Sequence, residues 1–290
     1  MTSGLSPDSQ KKVGMQWSLT FIKCIYDKRD CLYESDFRWD LTATYGSCFT
    51  FNYNVSAFRM FTHAGPQHGL LLALHSNQGD YICTSDSAGF KISLQHQSES
   101  PFPEANGFYA MPGVLTSVVI RRLQIINTRN CEEKGNSGNQ YYDGSYTVEG
   151  CLRACHQRYV IKRCHCADPR FAKPKGSRFC ALEDMSCLES FSAYDANYDA
   201  NHEQDCNCIQ PCLKIEYSTS ISTSAINFET SVWKQMCAYY VGSAWNGSCE
   251  EYLQKSIAIL QIYYDRLFET KHVESDEYPV TILTVKEELQ

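Results

Sequence analysis

The sequence has no long apolar run. Its apolar stretches are short, Ala110–Ile120 and Gly69–Leu74 among them, whereas a membrane-spanning helix needs roughly 20 consecutive apolar residues. The opening Met1–Lys12 is polar and does not read as a signal peptide. A basic stripe is also lacking. Lys and Arg number 26 against 33 Asp and Glu, a formal net charge of −7, and phosphate binding needs concentrated positive charge. Nucleic acid is therefore not expected as a partner. GxSxG, HExxH, P-loop and GxGxxG signatures are all missing, and the histidines at 63, 68, 75, 96, 156, 165, 202 and 272 are scattered. The chain does not read as an enzyme, and no cofactor is expected. Neither an internal repeat nor a low-complexity tract is present.

Cysteine is abundant. There are 16 in 290 residues, an even count that points to disulfides formed in an oxidising compartment. Zinc is the alternative for Cys164-His165-Cys166 with Cys180 and Cys187, but structural zinc usually takes paired C-x2–4-C knuckles. Two sequons, Asn54-Val55-Ser56 and Asn246-Gly247-Ser248, are candidate glycosylation sites and agree with an extracellular placement. Disulfides without a route into the secretory pathway suggest part of a longer polypeptide, or a truncated product. With 43% hydrophobic residues, a packed core is within reach.

Composition divides the chain. Residues 1–15 are polar and aperiodic, and are expected to be frayed. Residues 16–130 read mostly as strand: Ser47–Tyr53, Gly69–His75, the period-two Phe90–Leu94, and the β-branched Gly113–Ile126. Residues 131–212 hold ten of the sixteen cysteines and few large aliphatics, so disulfides stand in for a core there. Tyr146–Cys166 suggests a helix with Cys151 and Cys155 one turn apart on one face. Glu189–Ala200 is a weaker helical stretch. In 213–285, Leu213–Ser222 is a strand candidate and Asn227–Tyr240 a helix. Ile257–Phe268 is a strand apolar on both faces and so central in a sheet. A charged tail, 286–290, follows.

The cysteine order is specific. Cys164-x-Cys166 and Cys206-x-Cys208 place two side chains on opposite sides of an extended segment, so each pair seeks different partners. A nested ladder descending one helix satisfies this. The pattern resembles the extracellular domain of the degenerin/epithelial sodium channel family, which includes the acid-sensing channels. Other motifs agree. Tyr45-Gly46-Ser47-Cys48-Phe49-Thr50-Phe51-Asn52 is similar to the family's YGxCYTFN, and Gly69–Leu74 to its GLxLxL strand. Ser98–Pro103, Gly107-Phe108 and Pro112-Gly113 resemble HxxDEPPF…GF…PG. Cys208–Cys212 with Tyr217 and Ser218 resembles CxxPC…Y…S. Ile257–Phe268 followed by Tyr278-Pro279-Val280 is similar to the last strand before the second membrane helix. The resemblance covers about residues 19–285.

The resemblance implies an α+β fold: a mostly antiparallel palm-like sheet built from 47–53, 69–75, 110–126, 213–222 and 257–268. Finger loops lie around 20–40 and 85–107, a helical disulfide-rich thumb spans 131–212, and a knuckle-like helix falls within 213–285. It implies the pairs Cys131–Cys212, Cys151–Cys208, Cys155–Cys206, Cys164–Cys187, Cys166–Cys180 and Cys24–Cys31. Cys237–Cys249 is proposed on proximity alone. The family partner of Cys48 lies just after the first membrane helix, outside this chain, so Cys48 either stays unpaired or joins Cys83. Glu99 and Glu189 are the candidate gating carboxylates. Their family neighbours are replaced by Ser100 and Ala193, and the aromatic before the first thumb cysteine is replaced by Thr128.

The implied function is the extracellular region of a ligand-gated or mechanically gated sodium channel subunit, amiloride-sensitive by family and not pore-forming alone. It would sit on the extracellular side of the plasma membrane. Its partners would be homologous subunits in a trimer, an extracellular ligand, and sodium ions in the intact channel. The alternative is a soluble binding module, a decoy or assembly modulator of related channels.

Overall fold

The computed structural model describes residues 14–42, 44–81, 86–133, 141–193, 206–240, 248–274 and 281–285. Residues 1–13, the tail 286–290, Cys83 and Asn246 lie outside them. The strands, in chain order, are β1 (Phe21–Tyr26), β2 (Arg29–Asp30), β3 (Phe37–Thr42), β4 (Gly46–Phe51), β5 (Leu70–His75), β6 (Phe90–Ile92), β7 (Phe108–Ala110), β8 (Val114–Ile126), β9 (Leu213–Ala225), β10 (Ile257–Tyr264), β11 (Glu269–Val273) and β12 (Thr281–Val285). The longer helices are α1 (Val148–Cys164), α2 (Met185–Ala193), α3 (Ser231–Tyr240) and α4 (Cys249–Ser256).

The fold is α+β around an eight-stranded sheet. One path runs β12-β11-β8-β10-β5-β1-β2, and β9 lies on the other edge of β8. β10 is flanked by β5, antiparallel, and β8, parallel, which explains why both its faces are apolar. Leu70, Leu72 and Leu74 of β5 alternate into a core with Val118, Ile120, Leu260 and Ile262. β1 joins this sheet by pairing with β5, a strand inside the stretch read from sequence as finger loops. Gly69 is required just before β5, because a Cβ there would lie 2.3 Å from the Ile262 carbonyl oxygen.

One strand assignment needs correction. Residues 47–53 do not join the central sheet. β4 pairs with β3 in a separate two-stranded sheet. The reason is aromatic packing: Phe37, Phe49 and Phe51 meet Trp17, Phe21 and Tyr26 at centroid distances of 4.6, 5.1 and 5.3 Å. The hairpin thus covers a sheet face instead of extending an edge. The expected strand over 257–268 likewise stops at Tyr264. Asp265–Phe268 leave the ladder, and β11 then resumes parallel pairing further along β8.

β8 and β9 pair in unbroken antiparallel register from Val114↔Ala225 to Ile126↔Leu213. They form a hairpin whose connection is the whole cysteine-rich block, residues 127–212.

Candidate functional site

α1 organises this block. Thr147 caps it by accepting the Gly150 N–H at 3.1 Å, and Glu149 in the first turn and Lys162 and Arg163 in the last suit the helix dipole. His165, at φ 57°, closes it with its N–H on the Ile161 carbonyl. The buried face consists of Gly150, Cys151, Ala154, Cys155, Gln157, Val160 and Cys164. Large aliphatics are nearly absent from it, so sulfur does the joining.

The rungs are Cys151–Cys208, Cys155–Cys206, Cys164–Cys187 and Cys166–Cys180, with Cys131–Cys212 at the neck. Each C-x-C pair splits between partners. Cys24–Cys31 staples the β1–β2 hairpin. Cys166 and Cys180 also cluster with Asp184, but their thiols are consumed in the disulfide and offer no thiolate to a metal. Gln157, fully buried, is the polar pin that sequence reading missed. Its amide donates to the Asp168 carbonyl at 3.0 Å and accepts the Asp168 N–H at 2.9 Å. A glutamine in mid-helix looks like a surface residue, and no local signal marks this one as buried.

The neck is tightly bonded. The Asn127 N–H reaches the Cys212 carbonyl at 2.9 Å, the Glu132 N–H donates to the Gln210 carbonyl at 2.9 Å, and the Cys212 N–H donates to the Glu132 carbonyl at 3.0 Å. Thr128 donates its N–H to Glu274 Oε2 at 3.1 Å and its hydroxyl to the Glu274 carbonyl at 3.3 Å. The neck is therefore tied to the residue just after β11.

Farther up, segment 98–104 grips the block. The Ser145 N–H donates to the Ser98 carbonyl at 2.6 Å and Ser100 Oγ to the Asp143 carbonyl at 2.7 Å. Arg153 spans Glu149 (2.6 Å) and Glu104 (3.4 Å) and lies over the Phe102 ring. Below this grip is a cleft of about 330 Å³, lined by Glu99, Phe102, Tyr146, Glu149, Lys214 and Glu216 among others. Burial raises the Glu99 carboxyl pKa and Glu216 adds to it, while Lys214 opposes.

The candidate residues are placed as follows. Glu99 sits in the cleft opposite β9. Glu189 is exposed on α2 and does not line the cleft, so the structure does not bring the two together there. Of the two readings of Cys48, the structure has the unpaired thiol; it lies on β4 opposite Asp40, near Thr42 Oγ1, and burial raises its pKa. Asn54 Oδ1 accepts the Ser56 N–H at 2.9 Å in an exposed turn. Cys249 is disulfide-bonded; the side chain of Cys237, its expected partner, lies outside the described residues. Asn52, ending the Tyr45–Asn52 motif at φ 57°, bonds both the N–H and the carbonyl of Arg59 through its amide. That double role needs an amide and tolerates the left-handed backbone.

This arrangement defines a disulfide-stapled α+β domain with a cleft between segment 93–108, the start of α1 and β9. Residues 4–286 match the family model for the amiloride-sensitive sodium channel, and the chain belongs to that family of degenerin and epithelial sodium channels. Among curated relatives, degenerin del-1 of Caenorhabditis elegans is 31% identical over 285 residues, covering 95% of this chain and 42% of the relative. Degenerin unc-8 of the same species is 30% identical, covering 92% and 35%. Degenerin mec-4 of Caenorhabditis briggsae is 28% identical, covering 88% and 34%. The chain thus spans less than half the length of these relatives. Among the described residues, no helix is long and apolar enough to cross a membrane.

Proposed function

We propose that the chain is the extracellular region of a sodium channel subunit at the plasma membrane, working in a trimer of homologous subunits. In this reading, 131–212 is the thumb, β6, β7 and their flanking loops belong to the finger, and the main sheet is the palm. An extracellular ligand or a mechanical load displaces the thumb. The β8–β9 hairpin and the Thr128–Glu274 contact carry that displacement toward the segment after β11, which in relatives leads to the pore. Proton gating would need Glu99 to respond with partners other than Glu189, the nearest charged candidates being Lys214 and Glu216.

The observation that supports this most is the neck itself: one disulfide, Cys131–Cys212, closes a stapled block onto the ends of β8 and β9, and β8 pairs on its other edge with β11. The test is to express the chain joined to the flanking sequence of its transcript, alone and with related subunits, and record whole-cell current. An inward sodium current blocked by amiloride is expected. Surface-delivered protein that neither conducts nor alters the current of related subunits overturns the reading. Suppression of their current by the secreted chain alone would favour the decoy instead.

A further inference from the structure

The β1–β2 turn and the loop before β5 converge on two imidazoles that share one carboxylate. Asp27 and Lys28 both have positive φ, 47° and 63°, between paired Tyr26 and Arg29. This is a two-residue hairpin turn of the kind that matches strand twist. The Cys24–Cys31 disulfide and the Asp27 N–H bond to the Gly69 carbonyl hold the turn in place. The facing loop is anchored too. The Gly65 N–H donates to the Tyr264 carbonyl at 2.8 Å, and Phe61 packs between Tyr26 and Tyr264.

Between these supports, His68 Nδ1 lies 2.7 Å from Asp27 Oδ1. Thr62 Oγ1 donates to Asp27 Oδ2 at 3.5 Å, and its oxygen is 3.0 Å from His63 Nδ1. One consistent proton arrangement follows. Both imidazoles carry hydrogen on Nδ1: His68 donates to the carboxylate directly, and His63 donates to the threonine hydroxyl that in turn points at the same carboxylate. Each Nε2 then presents a lone pair, and neither has a partner among the described residues. The rings lie 4.6 Å apart at 35°. A carboxylate that fixes imidazole tautomer and orientation is the usual outer shell of histidine metal ligands.

We infer that His63 and His68 form a binding site for a first-row divalent cation of the zinc or nickel type, with Asp27 orienting both ligands and water completing the coordination. Imidazole nitrogen suits these ions, whereas magnesium and calcium take oxygen ligands. The bound ion would clamp the β1–β2 turn to the loop entering β5. This inference is independent of the channel reading.

The test is calorimetric titration of the oxidised 290-residue chain with zinc chloride, followed by thermal melting with and without zinc. One saturable site per chain is expected, with a raised Tm and no response to magnesium. The His63→Ala/His68→Ala double variant should lose that site. Asp27→Asn keeps the turn, because asparagine suits it, and should weaken zinc binding by about 10- to 100-fold. An isotherm unchanged in the double variant, or the absence of any saturable site in the native chain, overturns the inference.

Discussion

The main sheet and the cysteine-rich block solve the same problem with different materials. In the sheet, Leu70, Leu72, Leu74, Val118, Ile120, Leu260 and Ile262 exclude water from a single core, and burying such side chains contributes about 1.5–3 kcal/mol each. In the block, the buried cluster consists of Val160, Cys164, Cys166, Cys180 and Leu188. Three of its five members are half-cystines. A cluster that small cannot offset the chain entropy of some 85 residues, and the disulfides reduce that entropy in the unfolded chain instead. In the loop-entropy description, closing 14 residues contributes about 3 kcal/mol and closing 81 about 4.5 kcal/mol. The lesson is that the block can be long, polar and variable in sequence while staying rigid, as suits a part that meets the outside.

The contrast can be broken from either side. The largest effect on the block is expected at the neck. In a Cys131→Ser/Cys212→Ser variant, the inner rung Cys151–Cys208 still closes most of the loop, so about 3.5 kcal/mol should be lost. Differential calorimetry of the block's transition would show it. On the sheet side, Leu260 is 1% exposed, and Leu260→Ala should cost about 2–5 kcal/mol. That loss should appear in the denaturant midpoint whether or not the disulfides are intact. Gln157→Ala comes next. It strands the buried Asp168 N–H, while the Asp168 carbonyl keeps the Phe171 N–H, at a cost of about 1–3 kcal/mol, read as a lower Tm with all disulfides still formed.

Glu99→Gln should have the smallest effect and sharpens the view of the cleft. The folded pKa of Glu99 is raised, so the folded state takes up its proton before the unfolded chain does. Stability therefore rises as pH falls through the folded value and flattens below the ordinary carboxylate pKa near 4.5. Above that window the ionised carboxylate is destabilising. The glutamine variant should be slightly more stable at neutral pH and should lose this slope in pH-dependent melts. An unchanged slope would place the titrating group elsewhere.

Legibility in the sequence followed the same division. The block's helix was readable from Cys151 and Cys155 one turn apart, and the split of each C-x-C pair from strand geometry. The pairings themselves came through the family resemblance. β10 was readable as central because both faces are apolar. What escaped was partner choice. Ser47–Tyr53 has strand character, but alternation says only that a strand has two faces; the aromatics on β3 and β4 decided that the hairpin would cover the sheet. β1 was hidden in a stretch that looked like loop because its ladder partner, β5, lies more than forty residues on. Gln157 and the shared carboxylate of Asp27 were invisible for a further reason: their meaning lies in contacts across space that no spacing encodes. The Glu99–Glu189 candidates came through the family resemblance; here the cleft around Glu99 is lined by segment 93–108, residues 146–149 and β9, and Glu189 is not among its lining residues.

The most direct measurement of this division of labour is residue-resolved hydrogen exchange on the oxidised chain and on the same chain after reduction and thiol blocking. The account predicts that α1 and the neck lose their protection while β5, β8 and β10 keep theirs. Loss of protection across the main sheet together with α1, or an α1 that stays protected without its disulfides, would contradict it.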